Sequence, residues 1–505
     1  MPDPDVYQVW TSTIFIVFEI MFILATTLCI VYLAVLIRHR IKSMPRGTDY
    51  QSVVYQVRPW DVRFIYDLRY EDEKGSLVFE ESIHPEMFSL IQSAKDKIVA
   101  DMFLYNTDHG QHVQKPDHKP NSSGLTDLLC TKADQGLDVM LITDEINCFY
   151  RSYASPILNR LESHQVKTVI TDLDRLRDPN PLYSTWYRMF LSWLPGSGKG
   201  LIPHPFGHPQ RKITLPALFR SLNFKANHRK VLVVDSHTAV VTSANPHDPS
   251  SLHSNIAIII KGAPAREVEY AEHAVAAFSG HPALCSAKRS AGRHAAARGK
   301  TAGECESCYQ VQLLTEKKIK DRFIREIKNS FRGDMIMVGM LYLTHRQVIR
   351  ELKEAAGRKA EVRIILDSSE HAFGMKKYGI PNRHAVLDLA ADPCFGDNLN
   401  VRWYKTNGEQ FHSKLVAVKR ADSFVLMAGS ANLTSRNLDN YNLELNLWIK
   451  TGPDSTLSRD VEEYFDRIWF NKGGGYTLDY EAARDESRIK YLLYRFQEAS
   501  GMCTY

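Results

Sequence analysis

The chain repeats itself, and the repeat constrains the fold more than any other feature. Residues 227–255 read NHRKVLVVDSHTAVVTSANPHDPSSLHSN, and residues 411–444 read FHSKLVAVKRADSFVLMAGSANLTSRNLDNYNLE. Each stretch opens on His-x-Lys, reaches an Asp through an apolar run, and ends a second apolar run in Ser-Ala-Asn. Counted back from that Asn, Asp235 lies ten residues before Asn245, and Asp422 lies ten before Asn432. Counted forward, Asn255 and Asn442 stand ten residues beyond the same two positions. Between Lys and Asp the second copy is three residues longer. Lys419, Arg420 and Ala421 are the expected insertion, which a turn absorbs at small entropic cost. A lone His-x-Lys would read as an ordinary strand edge, whereas two copies in register imply a unit built twice.

The flanking pattern repeats too. Before the first motif, helices are expected at 85–97, to about 135 and at 156–163, alternating with strands at 98–105, 137–143 and 166–172. Before the second, helices at 317–330, 346–356 and 385–391 alternate with strands at 335–343, 362–367 and 399–404. This alternation predicts an α/β fold class. Only two copies occur, so the arrangement is a duplicated domain and not a solenoid.

The paired residues carry a chemistry. Strand alternation puts His228 and Lys230 on one face, and likewise His412 and Lys414. A phosphodiester needs a nucleophile, an acid for the leaving group and cations for its oxygens. Two His, two Lys and the two Asn (Asn245, Asn432) supply all three. Asp235 and Asp422 end strands, so they are expected to stabilise turns.

These motifs resemble the HxKxxxxD…GSxN signature of the phospholipase D superfamily in its two-motif form. The first copy fits as His228, Lys230, Asp235, Ser243 and Asn245, with Thr242 where the family usually has Gly. The second fits as His412, Lys414, Gly429, Ser430 and Asn432, with Asp422 displaced. The resemblance implies two pseudo-symmetric phospholipase D-like domains, each a mixed sheet flanked by helices. It also implies that one His forms a phosphohistidine, that the other protonates the departing alcohol, and that neither metal nor cofactor is required. By resemblance His228 is the nucleophile and His412 the acid. Within the family an acid commonly holds the motif His by its far ring nitrogen. Glu444, two residues after Asn442, is placed to do so for His412, while the matching position two after Asn255 is Ala257. His412 is therefore expected to have a carboxylate behind it and His228 none.

Residues Ile14 to Ile37 form a largely apolar run in which Glu19 is the only charge. A helix of that length spans about 36 Å, enough to cross a bilayer. Acidic residues precede it (Asp3, Asp5) and basic ones follow (Arg38, Arg40, Lys42, Arg46), which predicts cytoplasmic catalytic domains on a single-pass anchor in the cell membrane. A cleaved signal peptide fits poorly, because no basic region precedes the run. The expected order is then a tail (1–12), a transmembrane helix (13–38), a connection (39–76), a first domain (77–282), a flexible basic linker (283–308), a second domain (309–480) and a C-terminal helix (481–505). An insertion at 173–223 carries PLYSTWYRMFLSWLPG, whose Trp and Tyr suit a headgroup zone near the site's mouth.

With the anchor and basic linker, this points to membrane phospholipids, anionic ones such as phosphatidylglycerol, as partners, with an alcohol or water as acceptor. The resemblance is closest to bacterial cardiolipin synthase-like phosphatidyltransferases. A phospholipase D releasing phosphatidic acid and a membrane-tethered nuclease are the alternatives. A net charge of +5 without a dense basic, aromatic track argues against nucleic acid. The eight Cys are scattered, which reads as reduced thiols; Cys305 and Cys308 form a lone CxxC. His109, His112 and His118, and the pair His204 and His208, are expected to be surface loop residues and not metal ligands.

Overall fold

The structure, a computed structural model, describes residues 4–107, 120–206, 211–281, 308–372 and 375–503. His109, His112, His118, His208, Cys305 and most of the expected linker lie outside the described residues.

Two sheets dominate. The first has eight strands in the spatial order Leu77–Glu80, Val62–Glu71, Asn255–Lys261, Thr238–Thr242, Lys230–Val234, Lys97–Met102, Asp138–Thr143, Lys167–Ile170. The second has nine, in the order Tyr55–Val57, Tyr309–Thr315, Leu445–Thr451, Phe424–Gly429, Lys414–Lys419, Met335–Met340, Glu361–Asp367, Leu399–Tyr404, Thr477–Asp479. Seven strands of each correspond in order and direction. In both, the motif hairpin runs antiparallel to the first of three parallel strands.

One boundary differs from the sequence expectation. The stretch 39–76 is not a plain connection. Tyr55–Val57 joins the edge of the second sheet, and Val62–Glu71 is the first sheet's counterpart of Tyr309–Thr315. Charged residues in VRFIYDLRYE hid this strand. They are answered by tertiary partners: the Asp67 carboxylate accepts the backbone N–H groups of Ser82 and Ile83, and Arg69 pairs with Glu409 at 3.5 Å.

The sheets face each other. Val231, Val233, Ile256 and Ile258 of the first pack in one core with Leu415, Leu426, Leu445 and Leu447 of the second. Burying a side chain of this size is worth about 1.5–3 kcal/mol, so the shared face holds the halves in one register. A further tie is Arg229, fully buried between Glu272 and Glu316, 2.6 Å from the latter. Glu316 belongs to the second half and also accepts the backbone N–H of Glu444.

At the N-terminus one helix runs from Pro4 to Ile41. Its Thr13–Ile41 segment has a mean hydropathy of 2.8, is not buried, and is long and apolar enough to cross a membrane. In the insertion, helix Pro181–Phe190 buries Ser184, Thr185 and Tyr187 and packs on the N-terminal helix, where the Tyr32 hydroxyl donates to the Leu182 carbonyl. His204 is buried, not exposed as expected. Its Nδ1 accepts the Phe206 N–H at 3.0 Å, and Nε2 lies 3.2 Å from the Tyr153 hydroxyl.

Candidate active site

Each His-x-Lys begins a motif strand beside the carboxyl ends of the parallel strands, where open α/β sheets place their ligands. What locks it there comes from the other half. The His228 N–H donates to the Leu443 carbonyl at 2.9 Å, and the His412 N–H donates to the Ser254 carbonyl at 2.8 Å. Asp144 and Asp367 close equivalent strands. Asp144 accepts the N–H of Asn227 at 2.7 Å, and Asp367 that of Phe411 at 2.9 Å, the residues just before the two His. Burial pushes each of these carboxyls up to about 7, against the pull of those backbone donors. Their sequence signal, an apolar run ending in Asp (MLITD, RIILD), stood in plain view.

The four motif side chains are buried and close enough to act on one another's charge. Lys230 Nζ donates to the carbonyl of His228 at 2.7 Å, and Lys414 Nζ to that of His412 at 2.9 Å. Burial drives the Lys230 ammonium down to about 7, opposed by Glu444. Burial and the neighbouring Lys230 hold Lys414 well below its ordinary value. The site thus crowds four proton-binding groups whose charged forms burial disfavours, and an anion such as phosphate would favour those charged forms.

The groups behind the imidazoles correct the sequence reading. Glu444 does not stand behind His412. Its carboxylate lies 3.0 Å from His228 Nδ1, across the interface. His412 Nδ1 instead meets Asn255 Oδ1 at 3.0 Å. Counting ten residues from each Ser-Ala-Asn misaligned the halves. Strand register pairs Thr242 with Ala257 and Gly429 with Asn446, so Ala257 matches Asn446, and Asn255 matches Glu444. Each half hands its residue at this position to the other half's histidine.

The environments differ in charge. Burial pushes His228 down to about 4 against Glu444, which pulls upward. Burial works to raise the Glu444 carboxyl, but His228 and Lys230 outweigh it and hold it below the usual range. Ser430 and Asn437 also donate to that carboxylate. Burial, Lys414 and His253 hold His412 well below its ordinary value. Asn255 donates its Nδ2 to the His253 carbonyl at 2.9 Å, while its Oδ1 accepts the Ser243 hydroxyl at 3.0 Å. Its amide orientation is therefore set, and His412 carries hydrogen on Nδ1.

The remaining motif residues take supporting positions. Asn245 Oδ1 accepts the Leu104 N–H at 3.3 Å, while Asn432 Oδ1 is buried with no hydrogen-bond partner among the described residues. Asp235 turns away and accepts the N–H groups of Lys95, Asp96 and Lys97. Among the described residues Asp422 accepts a hydrogen bond from the Ser423 hydroxyl alone. The expected three-residue turn insertion is shared out. Each strand of the second hairpin has 6 residues where the first has 5, and the turn gains one. His253 went unnoticed in the sequence. His253 Nδ1 accepts the Gln410 N–H at 3.2 Å, with its ring 5.7 Å from that of His412. At the matching place Asn442 Oδ1 accepts the Ala226 N–H at 3.1 Å.

Thr242, in the slot where the second half has Gly429, has a structural reason. A Cβ on Gly429 would overlap the Leu445 carbonyl oxygen and come within 2.7 Å of the Asn446 Cα. Asn446 Oδ1 accepts the Ala431 N–H at 3.1 Å. In the first half Ala257 has no amide to offer, and Thr242 Oγ1 accepts the equivalent N–H of Ala244 at 3.0 Å. The same backbone donor is satisfied from opposite sides of the strand pair.

Residues 323–469 match the family model described as cardiolipin synthase, PLD-like domain. No curated protein matches the sequence. Among solved structures, phosphatidylserine synthase from Haemophilus influenzae Rd KW20 is similar over 91% of this chain and 96% of that one, at 14% identity and a TM-score of 0.52. Polyphosphate kinase from Porphyromonas gingivalis is similar over 88% of this chain and 53% of that one, at 12% identity and a TM-score of 0.42. Residues 323–469 are thus similar to a phospholipase D-like domain, and the first half of the chain lays down the same order of strands a second time.

Proposed function

We propose that the chain is a membrane-anchored phosphatidyltransferase, moving a phosphatidyl group from one phospholipid to the hydroxyl of another, or of glycerol, through a phosphohistidine. The observation that carries this reading is the asymmetric pair of imidazoles, His228 on a carboxylate and His412 on an amide, set among two buried lysines. The family description for residues 323–469 and the phosphatidylserine synthase likeness are in keeping with it.

In this mechanism His228 Nε2 attacks phosphorus, and the bond to the departing alcohol breaks. The ring keeps its Nδ1 proton and becomes cationic, a charge that Glu444 neutralises. His412, doubly protonated once the phosphate anion is bound, gives its Nε2 proton to the leaving oxygen. An amide stabilises that cation less than a carboxylate would, so His412 releases its proton more readily. The incoming hydroxyl then returns a proton to His412 as it attacks, and His228 is freed. Lys230, Lys414, Asn245 and Asn432 hold the phosphoryl oxygens. Asp235, Asp422, Ser243 and Ser430 keep the framework in place. Water as acceptor would make the same site a phospholipase D.

The test is lipid mass spectrometry. Detergent-purified wild type and His228→Ala are incubated with vesicles of phosphatidylglycerol and phosphatidylethanolamine in the presence of chelator. Cardiolipin formed by wild type alone supports transfer. Phosphatidic acid in its place makes the chain a hydrolase, and unchanged lipid sinks the lipid reading in favour of a nuclease.

A further inference from the structure

The chain ends in helix Arg488–Ser500, whose two faces differ sharply. Its inner face is anchored: Tyr494 is buried, the Tyr491 hydroxyl donates to Asp388 at 2.9 Å, and Glu498 accepts the Ser435 hydroxyl at 2.8 Å. Its outer face holds Ile489, Leu492, Leu493 and Phe496, which are 81%, 67%, 44% and 59% exposed. At 100° per residue these four fall within one arc of about 100° opposite the anchored face. Arg488 and Arg495 flank that arc on one side and Lys490 on the other. Water is a poor partner for such a stripe.

The position of this helix says what covers it. Gly501, just past its end, sits against Pro179 and Asn180; a Cβ there would overlap the Pro179 carbonyl and come within 3.1 Å of the Asn180 N. Asn180 immediately precedes the insertion helix, which itself lies on the N-terminal apolar helix. The insertion helix presents its own stripe of exposed Leu182, Trp186 and Phe190, continued by Trp193. Two polar ties fasten its approach to the root of the N-terminal helix: Lys42 Nζ to the Asp174 carbonyl and Arg177 Nε to the Lys42 carbonyl, each 2.7 Å. On the other side, Arg436, four residues beyond Asn432, donates to the Cys503 carbonyl at 2.9 Å. The end of the C-terminal helix therefore meets the start of the insertion helix, between the apolar helix and the loop that carries Asn432.

We infer that the C-terminal helix is a second membrane-docking element. Its Ile489, Leu492, Leu493 and Phe496 face lies in the headgroup zone of the bilayer beside the insertion helix, so that each half supplies one lip of a site opening onto lipid. The basic flanks suit an anionic surface. The apolar helix alone would tether the chain and leave its orientation free; two interfacial stripes flanking that tether define which face meets the lipid. The inference rests on the proposed lipid substrate but is read without turnover.

The experiment replaces Leu492 in the full chain by p-benzoylphenylalanine, with Phe496 as a second position. Phe331, exposed at the opposite end of the second sheet, is the control. Each variant is placed in nanodiscs containing phosphatidylglycerol, irradiated and analysed by peptide mass spectrometry. Lipid adducts at positions 492 and 496 severalfold above position 331 are expected. Adduct levels equal to the control overturn the inference. Cross-linking of one chain to another at these positions overturns it as well, because a second copy would then cover the stripe. Cardiolipin synthesis without adducts rejects only the docking, and adducts without lipid turnover reject only the chemistry.

Discussion

The two half-sites share a backbone and differ in charge. Both histidines are pinned by a carbonyl of the opposite half, both lysines sit on the preceding histidine carbonyl, and both strands before the motif end in a buried Asp. Yet His228 meets a carboxylate and His412 an amide. The residue between His and Lys is Arg229, locked in a buried ion cluster, in one copy and Ser413 in the other. Duplication supplies a symmetric frame, which in the proposed mechanism surrounds a phosphate. In that mechanism the differences give two equivalent imidazoles unlike roles.

The strongest way to break this comparison is to remove each imidazole. His228→Ala and His412→Ala are each expected to cut turnover by roughly 10⁴-fold or more. A substrate whose leaving group needs no proton should rescue His412→Ala and leave His228→Ala inactive. The opposite rescue pattern, read in the same turnover assay, would reverse the roles.

Next come the slots between His and Lys. Arg229→Ala strands Glu272 and Glu316 without their cation and is expected to cost about 3–5 kcal/mol in chemical denaturation. Ser413→Ala, its counterpart, should change the midpoint little.

The groups behind the rings come third. Glu444→Gln should lower turnover by about a hundredfold, since the charge on the His228 ring loses its counter-ion. Asn255→Asp should cost less than about tenfold and move the pH profile upward, because a carboxylate raises the pKa of His412. Equal losses from the two changes would show that the asymmetry has no catalytic weight.

A smaller effect is expected where the halves exchange a hydrogen-bond partner. Gly429→Ala should destabilise by about 1–3 kcal/mol through overlap with Leu445 and Asn446. Gly429→Thr combined with Asn446→Ala copies the first half's side chains but leaves the Leu445 carbonyl in place, so a double-mutant cycle should recover only the part of the loss that Asn446 Oδ1 causes.

The smallest effect concerns the motif aspartates. Asp235→Asn should cost about 1–2 kcal/mol, as a charged acceptor of backbone N–H groups is neutralised, and Asp422→Asn close to none. Burial works to raise the Asp235 carboxyl, but those N–H groups hold it below its usual range. Its contribution is thus full above the unfolded pKa of about 3.9 and is lost as pH falls through the lower folded value. Denaturation midpoints compared at neutral and acid pH should converge for wild type and Asp235→Asn.

Much of this was legible beforehand. Helix Pro156–Ser163 and strand Leu399–Tyr404 sit where periodicity placed them, and the duplicated order of elements follows from local patterns. Strand Val62–Glu71 was missed because its charged residues find partners far away, at Ser82 and Glu409. His204 read as a loop residue because nothing local shows that Tyr153 closes over it.

The sequence by itself determined a doubled α/β chain, the paired His and Lys, and one apolar helix long enough for a bilayer. Those features are written in spacings of a few residues, where backbone geometry dictates which side chains share a face. Only the tertiary structure decided that Glu444 stands behind His228, 216 residues away, and that Asn255 stands behind His412. That pairing depends on strand register and on how two sheets meet, and a count of residues between motifs carries neither.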